Sequence, residues 1–164
     1  MAIFQPAPNS TSWSFNHDCM LGCVYGDMKI HDRKMIFDSD NDNGLGERLI
    51  QQVLDGIKTA TCDMPWFCTE QELADLNAQP GWLETVVDKE NNPRCNIRVT
   101  NVFETTFGQP DARLVRGEGD GEDTEKFKRD HEQYFSPLLK EKGLPPLTDD
   151  SVLIVWEFEL VEIA

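Results

Sequence analysis

The sequence predicts an α+β domain built on a small β-barrel or curled sheet flanked by helices. Three observations predict it. Strand-like runs occur at residues 82–87, 95–103 and 151–162, the last two alternating in their apolar pattern. Apolar residues recur at helical spacing over 45–57 and 127–138. The segments between are irregular and carry Gly, Pro, Asn and Asp, the residues of turns.

Residues 1–42 read as an N-terminal extension ahead of a domain at 43–164. Pro6, Pro8 and a Ser/Thr/Asn cluster open the extension, and SDNDNG at 39–44 closes it with turn and cap residues. Between them Trp13, Phe15, Met20, Leu21, Val24, Tyr25, Met35, Ile36 and Phe37 are too apolar for simple disorder. Part of the extension is therefore expected to pack on the domain as a strand or loop. In the first helix Leu45, Leu49, Ile50, Val53, Leu54 and Ile57 share a stripe. Asp42 or Asn43 is expected to cap its start, and Gly56 to end it in the left-handed conformation. KTATC then favours an extended or turn segment. Thr69 and Glu72 form a capping box for a short helix through Leu73 and Leu76, stopped by Pro80-Gly81.

A hairpin follows, with arms 82–87 and 95–103 around the turn sequence DKENNP. Cys95, Ile97 and Val99 share a face, and Val102 breaks the alternation, which predicts a bulge near Thr100–Asn101. Residues 117–125 read as a Gly-rich acidic loop. Asp123 or Thr124 is expected to cap a helix carrying Phe127, His131, Tyr134, Phe135 and Leu138, with Pro137 ending or kinking it. Tyr134 and Phe135 are expected in the core. In the last strand Val152, Ile154, Trp156, Phe158 and Leu160 share a face. Leu153 and Val155 are apolar too, so its first half is expected to be central and buried on both faces.

The 164 residues suit one domain. Lys and Arg number 15 against 30 Asp and Glu, a net charge of −15. That argues against a broad basic platform for nucleic acid, while leaving room for a small positive pocket. No run approaches the ~18 apolar residues of a membrane helix, so no membrane partner is expected. The first basic residue is Lys29, so the N-terminus lacks a secretory layout and a cytoplasmic location is expected. Five cysteines, an odd number, argue against a disulfide framework. His17, Cys19 and Cys23 form only a loose metal pattern. Asp38, Asp40 and Asp42 lack the distal Glu of a calcium loop. No metal and no cofactor are expected, and Cys95 reads as a small buried hydrophobe.

Lys58 is the most informative residue. It follows Gly56 just past the helix end, among Thr59, Ala60 and Thr61. One reading leaves it solvated or on the helix carbonyls. The other turns it into a pocket beside the Thr61 hydroxyl, as a base or as a cation for a phosphate or carbonyl oxygen. Glu118 sits between Gly117 and Gly119, followed by Asp120, where the backbone can approach a ligand closely. Asp120, Glu122 and Asp123 supply oxygens for a hard cation or form a solvated loop. His131 reads as a core or pocket-wall histidine. Trp66 is core or a stacking face for a base. Arg98 and Arg116 read as surface residues or phosphate contacts.

An ordered set of motifs then resembles the ASCH (ASC-1 homology) domain family. It comprises GIKTATC at 56–62, MPW at 64–66, DKENNPRCNIRVTNV at 88–102, GEGDGED at 117–123, the Phe127/His131 pair and LIVWEFELVE at 153–162. The resemblance runs from about Gly46 to Val161 and leaves 1–42 uncovered. It implies a PUA-like β-barrel fold and a cleft that binds RNA or a nucleotide-like ligand. Similar members include an amidohydrolase of N4-acylated cytidines, which uses a Lys, a Thr three residues later and a Glu. Lys58, Thr61 and Glu118 match that set as catalytic residues. Gly56, Thr59, Trp66, Gly117, Gly119, Asp120 and His131 are then the expected ligand-binding residues. The implied partner is a small nucleoside-like ligand or a short single-stranded RNA, with the oligomeric state left open. A non-catalytic RNA-binding module and a ribonuclease are the alternatives. Many members place a Ser shortly after the Glu-Gly-Asp turn; this chain has Gly121-Glu122-Asp123 there. Residues 67–81 add a helix that is expected to narrow or cover the cleft.

Overall fold

The computed structural model describes residues 3–4, 28–37 and 43–164, with the side chains of Ile3, Phe4 and Asp120 outside that description. The motifs at His17/Cys19/Cys23 and Asp38/Asp40/Asp42 lie outside the described residues. The strands are β1 (Ile3–Phe4), β2 (Lys34–Ile36), β3 (Ala60–Asp63), β4 (Leu83–Val87), β5 (Pro93–Thr106) and β6 (Val152–Ile163). They form one sheet in the order β1-β2-β4-β5-β6-β3.

The expected barrel is not closed. β1 and β3 lie at opposite ends of this order and do not pair. β1 has 2 residues, and β3 stops after 4, where Pro65 opens a 3-10 turn at Pro65–Phe67. Neither edge is long enough to bridge the gap, and a proline cannot extend the ladder. The sheet is curled instead by the long antiparallel pair β5·β6, whose register shifts between Asn96 and Ile97 and between Val99 and Asn101. The second shift is the bulge that Val102 announces, since an extra residue bends its strand.

β6 lies between β5 and β3, and Leu153, Ile154, Val155 and Trp156 are all fully buried. Apolar side chains on both faces of one strand fit that central place. β2 falls within residues 1–42 yet pairs in parallel with β4, and its Met35 packs with Phe37, Ile50, Val53, Val86 and Ile97.

The helices are α1 (Leu45–Leu54), α2 (Glu70–Asp75), α3 (Ala112–Val115) and α4 (Thr124–Glu141). Gly44, not Asn43, takes the N-cap position of α1, and Asp42 lies outside the described residues. Asn43 and Gly44 are both left-handed, with φ of 54° and 75°, so the Asn43 side chain is not carried to the cap position. Ile57 is exposed and off the core stripe, because the helix ends before it. Thr69 and Glu72 close the capping box of α2.

A helical stretch begins before the expected acidic loop, with α3, and takes in the loop's first residues. Leu114 and Val115 are buried, and the chain continues as a π-helical turn, Arg116–Asp120. α4 is capped by Asp123, whose side chain accepts from Lys126 N–H. Pro137 does not end it. The proline is exposed, and the Gln133 carbonyl it leaves unbonded belongs to an exposed residue. Phe135 and Leu139, buried on either side, hold the helix to the core.

Candidate functional site

Lys58 leaves α1 through a tight closure in which Ile57 N–H and Lys58 N–H both donate to the Gln52 carbonyl, at 2.8 and 3.0 Å. That closure turns the lysine inward. Its Nζ lies 5.4 Å from the Phe37 ring centroid and donates to Glu118 Oε2. The two side chains are 0% and 5% exposed.

Glu118 is delivered by the π-helical turn, a form common at functional sites. Gly117 makes the turn fit. A Cβ there would lie 2.4 Å from the Ala60 Cβ, and its carbonyl accepts from Thr59 N–H at 2.7 Å. Gly119 has φ +92°, a conformation that side chains disfavour. Both positions therefore suit glycine on backbone grounds.

His131 stands on α4 above the pair. Its Nδ1 faces the Phe127 carbonyl at 2.8 Å, so Nδ1 carries the hydrogen and donates. Its Nε2 lies 3.7 Å from Glu118 Oε1. That oxygen has no hydrogen-bond partner. Burial alone would raise the Glu118 pKa. The Lys58 ammonium overrides it, aided by His131, and holds the carboxyl well below the usual range. Glu118 is therefore ionised in the resting protein.

Glu118 and His131 line a cleft of ≈ 170 Å³ between α1 and α4. Leu45, Leu49 and Gln52 form one wall, and Asp130 and Tyr134 stand on the other. Lys58 lies behind Glu118 and does not itself line the cleft. Thr61 is fully buried on β3, opposite Trp156, and its Oγ1 bonds to neither Lys58 nor Glu118.

Gly56 and Thr59 are exposed, and neither lines this cleft. Trp66 does not belong to it. Trp66 is 50% exposed and lines a separate groove of ≈ 400 Å³ with Pro145, Pro146 and Val152. The 3-10 turn directs it there, away from Lys58. Asp120 ends the π-helical turn, and its side chain lies outside the described residues. Tyr134 is half-buried at the border of the core: it packs edge-on against Phe135 and also lines the cleft. The helix α2 supplies no side chain to the cleft, because Arg33 ties its Asp75 to the sheet. Arg98 and Arg116 pair with Glu159 and Glu122 at 2.7 and 3.7 Å.

Sequence reasoning missed Gln52, Leu45, Leu49, Asp130 and Cys62. The first three are spaced i, i+4, i+7, a second stripe of α1 beside its core stripe. Asp130 and Tyr134 repeat that spacing on α4. Cys62, Glu118 and His131 offer ligand atoms all within 4.8 Å of one another.

The ASCH domain family matches residues 34–162. The chain belongs to the ASCH domain family. Its match begins on β2, so the family region includes that strand as well as the cleft. Two crystal structures share the fold of this ASCH domain. One is an ASCH domain from Lactobacillus crispatus, 24% identical, with TM-score 0.63 over 79% of each chain. The other is a protein from Enterococcus faecalis, 23% identical, with TM-score 0.62 over 78% of this chain and 75% of that one. No curated protein matches the chain in sequence. Among the described residues, no helix is long and apolar enough to cross a membrane.

Proposed function

We propose that this ASCH domain binds a small nucleoside-like ligand in the cleft between α1 and α4 and hydrolyses an N4-acylated cytidine-type amide there. The observation that carries this reading is the buried Lys58–Glu118 pair, with the bare Glu118 Oε1 at the cleft wall. An unpartnered buried acceptor favours a ligand that brings an N–H or O–H donor. Leu45, Leu49 and Tyr134 supply an apolar body and a ring for a base. Lys126, also on the cleft wall, pairs with Asp130 at 2.8 Å, and the −15 charge of the chain favours a neutral ligand over an extended polyanion. Family membership supports an RNA-binding role, which this cleft meets one nucleoside at a time.

The reaction starts from Lys58 as an ammonium on Glu118. Ligand binding draws Glu118 towards the amide, and Glu118 takes a proton from Lys58. The freed amine accepts the Thr61 Oγ proton as Oγ attacks the acyl carbon. The C–N4 bond breaks, Glu118 protonates N4, and water hydrolyses the acyl-Thr61 ester to a carboxylic acid and the free hydroxyl. Thr61 is enclosed at rest, so Lys58 must swing off Glu118 before attack.

Cytidine release from N4-acetylcytidine is the test. Lys58→Ala and Glu118→Gln are expected to lower kcat/KM at least about a hundredfold. Thr61→Ala is expected to abolish acyl-enzyme formation. Full activity in both Lys58→Ala and Thr61→Ala rejects the mechanism. Salt-sensitive binding of a short single-stranded RNA, without cytidine release, supports the non-catalytic module instead.

A further inference from the structure

His131 and Glu118 meet in an arrangement that ordinary packing leaves unsatisfied. His131 Nδ1 donates to Phe127 O, so Nε2 is the ring atom left to face Glu118 Oε1. That oxygen is buried and has no hydrogen-bond partner among the described residues. Nε2 and Oε1 face each other at 3.7 Å, too far for a hydrogen bond. Cys62 joins Glu118 and His131 in a buried group whose ligand atoms lie within 4.8 Å of one another.

We propose that Cys62, Glu118 and His131 bind one zinc-class divalent cation through Sγ, Oε1 and Nε2. Zinc–ligand bonds of about 2.0–2.3 Å at tetrahedral angles place ligand atoms roughly 3.3–3.8 Å apart. The observed Nε2–Oε1 separation of 3.7 Å already has that value. One ligand atom from each of the three residues lies within 4.8 Å of the others, so a shift of about 1 Å brings the set to the spacing of zinc ligands. Lys58 remains on Oε2, the oxygen the metal does not use. The Nδ1–H bond to a backbone carbonyl fixes the tautomer, as it does for metal-bound histidines generally. Thiolate, imidazole and carboxylate together select zinc or cobalt over magnesium or calcium. The ligands come from β3, the π-helical turn and α4, so the ion ties three elements together. Its fourth position faces the cleft that Glu118 and His131 line.

The ion takes the Glu118 Oε1 that the hydrolytic reading leaves for the ligand, so the two readings compete for one oxygen, and this test reads metal binding alone. Chelator-stripped full-length protein carrying Cys19→Ser and Cys23→Ser is titrated with Co²⁺. These substitutions remove the thiols outside the described residues from the readout. The expected result is a single equivalent with a thiolate-to-cobalt charge-transfer band, displaced by Zn²⁺, and a Tm that rises with Zn²⁺. Cys62→Ser should remove the band, and His131→Gln should weaken binding at least about tenfold. Absence of both the band and the Tm shift in the parent overturns the proposal. So does a band that survives Cys62→Ser. If Cys62→Ser does not fold, an unchanged affinity in His131→Gln overturns it equally.

Discussion

Arg33 and Lys58 each neutralise buried carboxylates, one beside α2 and the other between β3 and α4. Arg33 spreads its guanidinium over two partners, Glu84 Oε1 at 3.0 Å and Asp75 Oδ1 at 3.2 Å, with a further bond to Asp75 Oδ2. It also stacks on Trp82 at 4.4 Å, and the indole N–H donates to the same Glu84 oxygen at 2.7 Å. Among the described residues Lys58 makes one ion pair, to Glu118 Oε2, beside the Phe37 ring, and the other Glu118 oxygen has no hydrogen-bond partner. Glu84 also keeps a bare oxygen, but that residue is 0% exposed. A forked, stacked arginine holds elements in place. A lysine is a point charge that can release its partner. The first arrangement serves the scaffold and the second serves exchange with a ligand.

Breaking the scaffold cluster is expected to have the largest effect on stability. Arg33→Met leaves two buried carboxylates without their cation. It should cost about 3 kcal/mol in denaturant unfolding, the low end for a buried pair because Arg33 is partly exposed. Activity per folded molecule should not change. A loss below about 1 kcal/mol would show that the two clusters do not differ as described.

Asp63 sharpens the comparison, as a buried carboxylate with no ion pair among the described residues. Burial pushes it from 3.8 up to about 7, against the Met64 N–H it accepts. The folded state therefore binds more protons than the unfolded state between those values. The contribution is fully present below about pH 4 and is lost as pH rises through about 7. Asp63→Asn, studied in chelator-treated protein, should flatten this slope and stabilise the domain at pH 8 by about 2 kcal/mol. An unchanged pH–stability profile would show that Asp63 ionises freely.

The smallest effect belongs to the capping box. Thr69→Ala removes the bond from Glu72 N–H and should cost about 1 kcal/mol in thermal unfolding. Because α2 supplies no side chain to the cleft, ligand affinity should stay constant. A change in affinity would place α2 in the site after all.

The legible parts of this protein rest on local rules. The capping box needs residues three apart. The β5 bulge shows as one broken alternation at Val102, and the burial of β6 shows as apolar residues at every position from 152 to 156. The illegible parts depend on what meets across the fold. Pro137 looks like a stop, yet helix contacts on both sides carry the chain past it. Trp66 follows the KTAT segment closely, but the turn after Pro65 sends it to another groove. Gln52 and Cys62 carry no motif and matter only through their neighbours.

By itself, the sequence determined the three long strand runs, the main helices and the family resemblance, and it singled out Lys58 and Glu118 as candidates, because propensity, periodicity and motif spacing act along the chain. Only the tertiary structure decided that the sheet stays open, that the cleft runs between α1 and α4, and that Lys58 meets Glu118 across 60 positions. That meeting depends on Gly117 settling against Ala60, a steric fit between distant residues that no local pattern encodes.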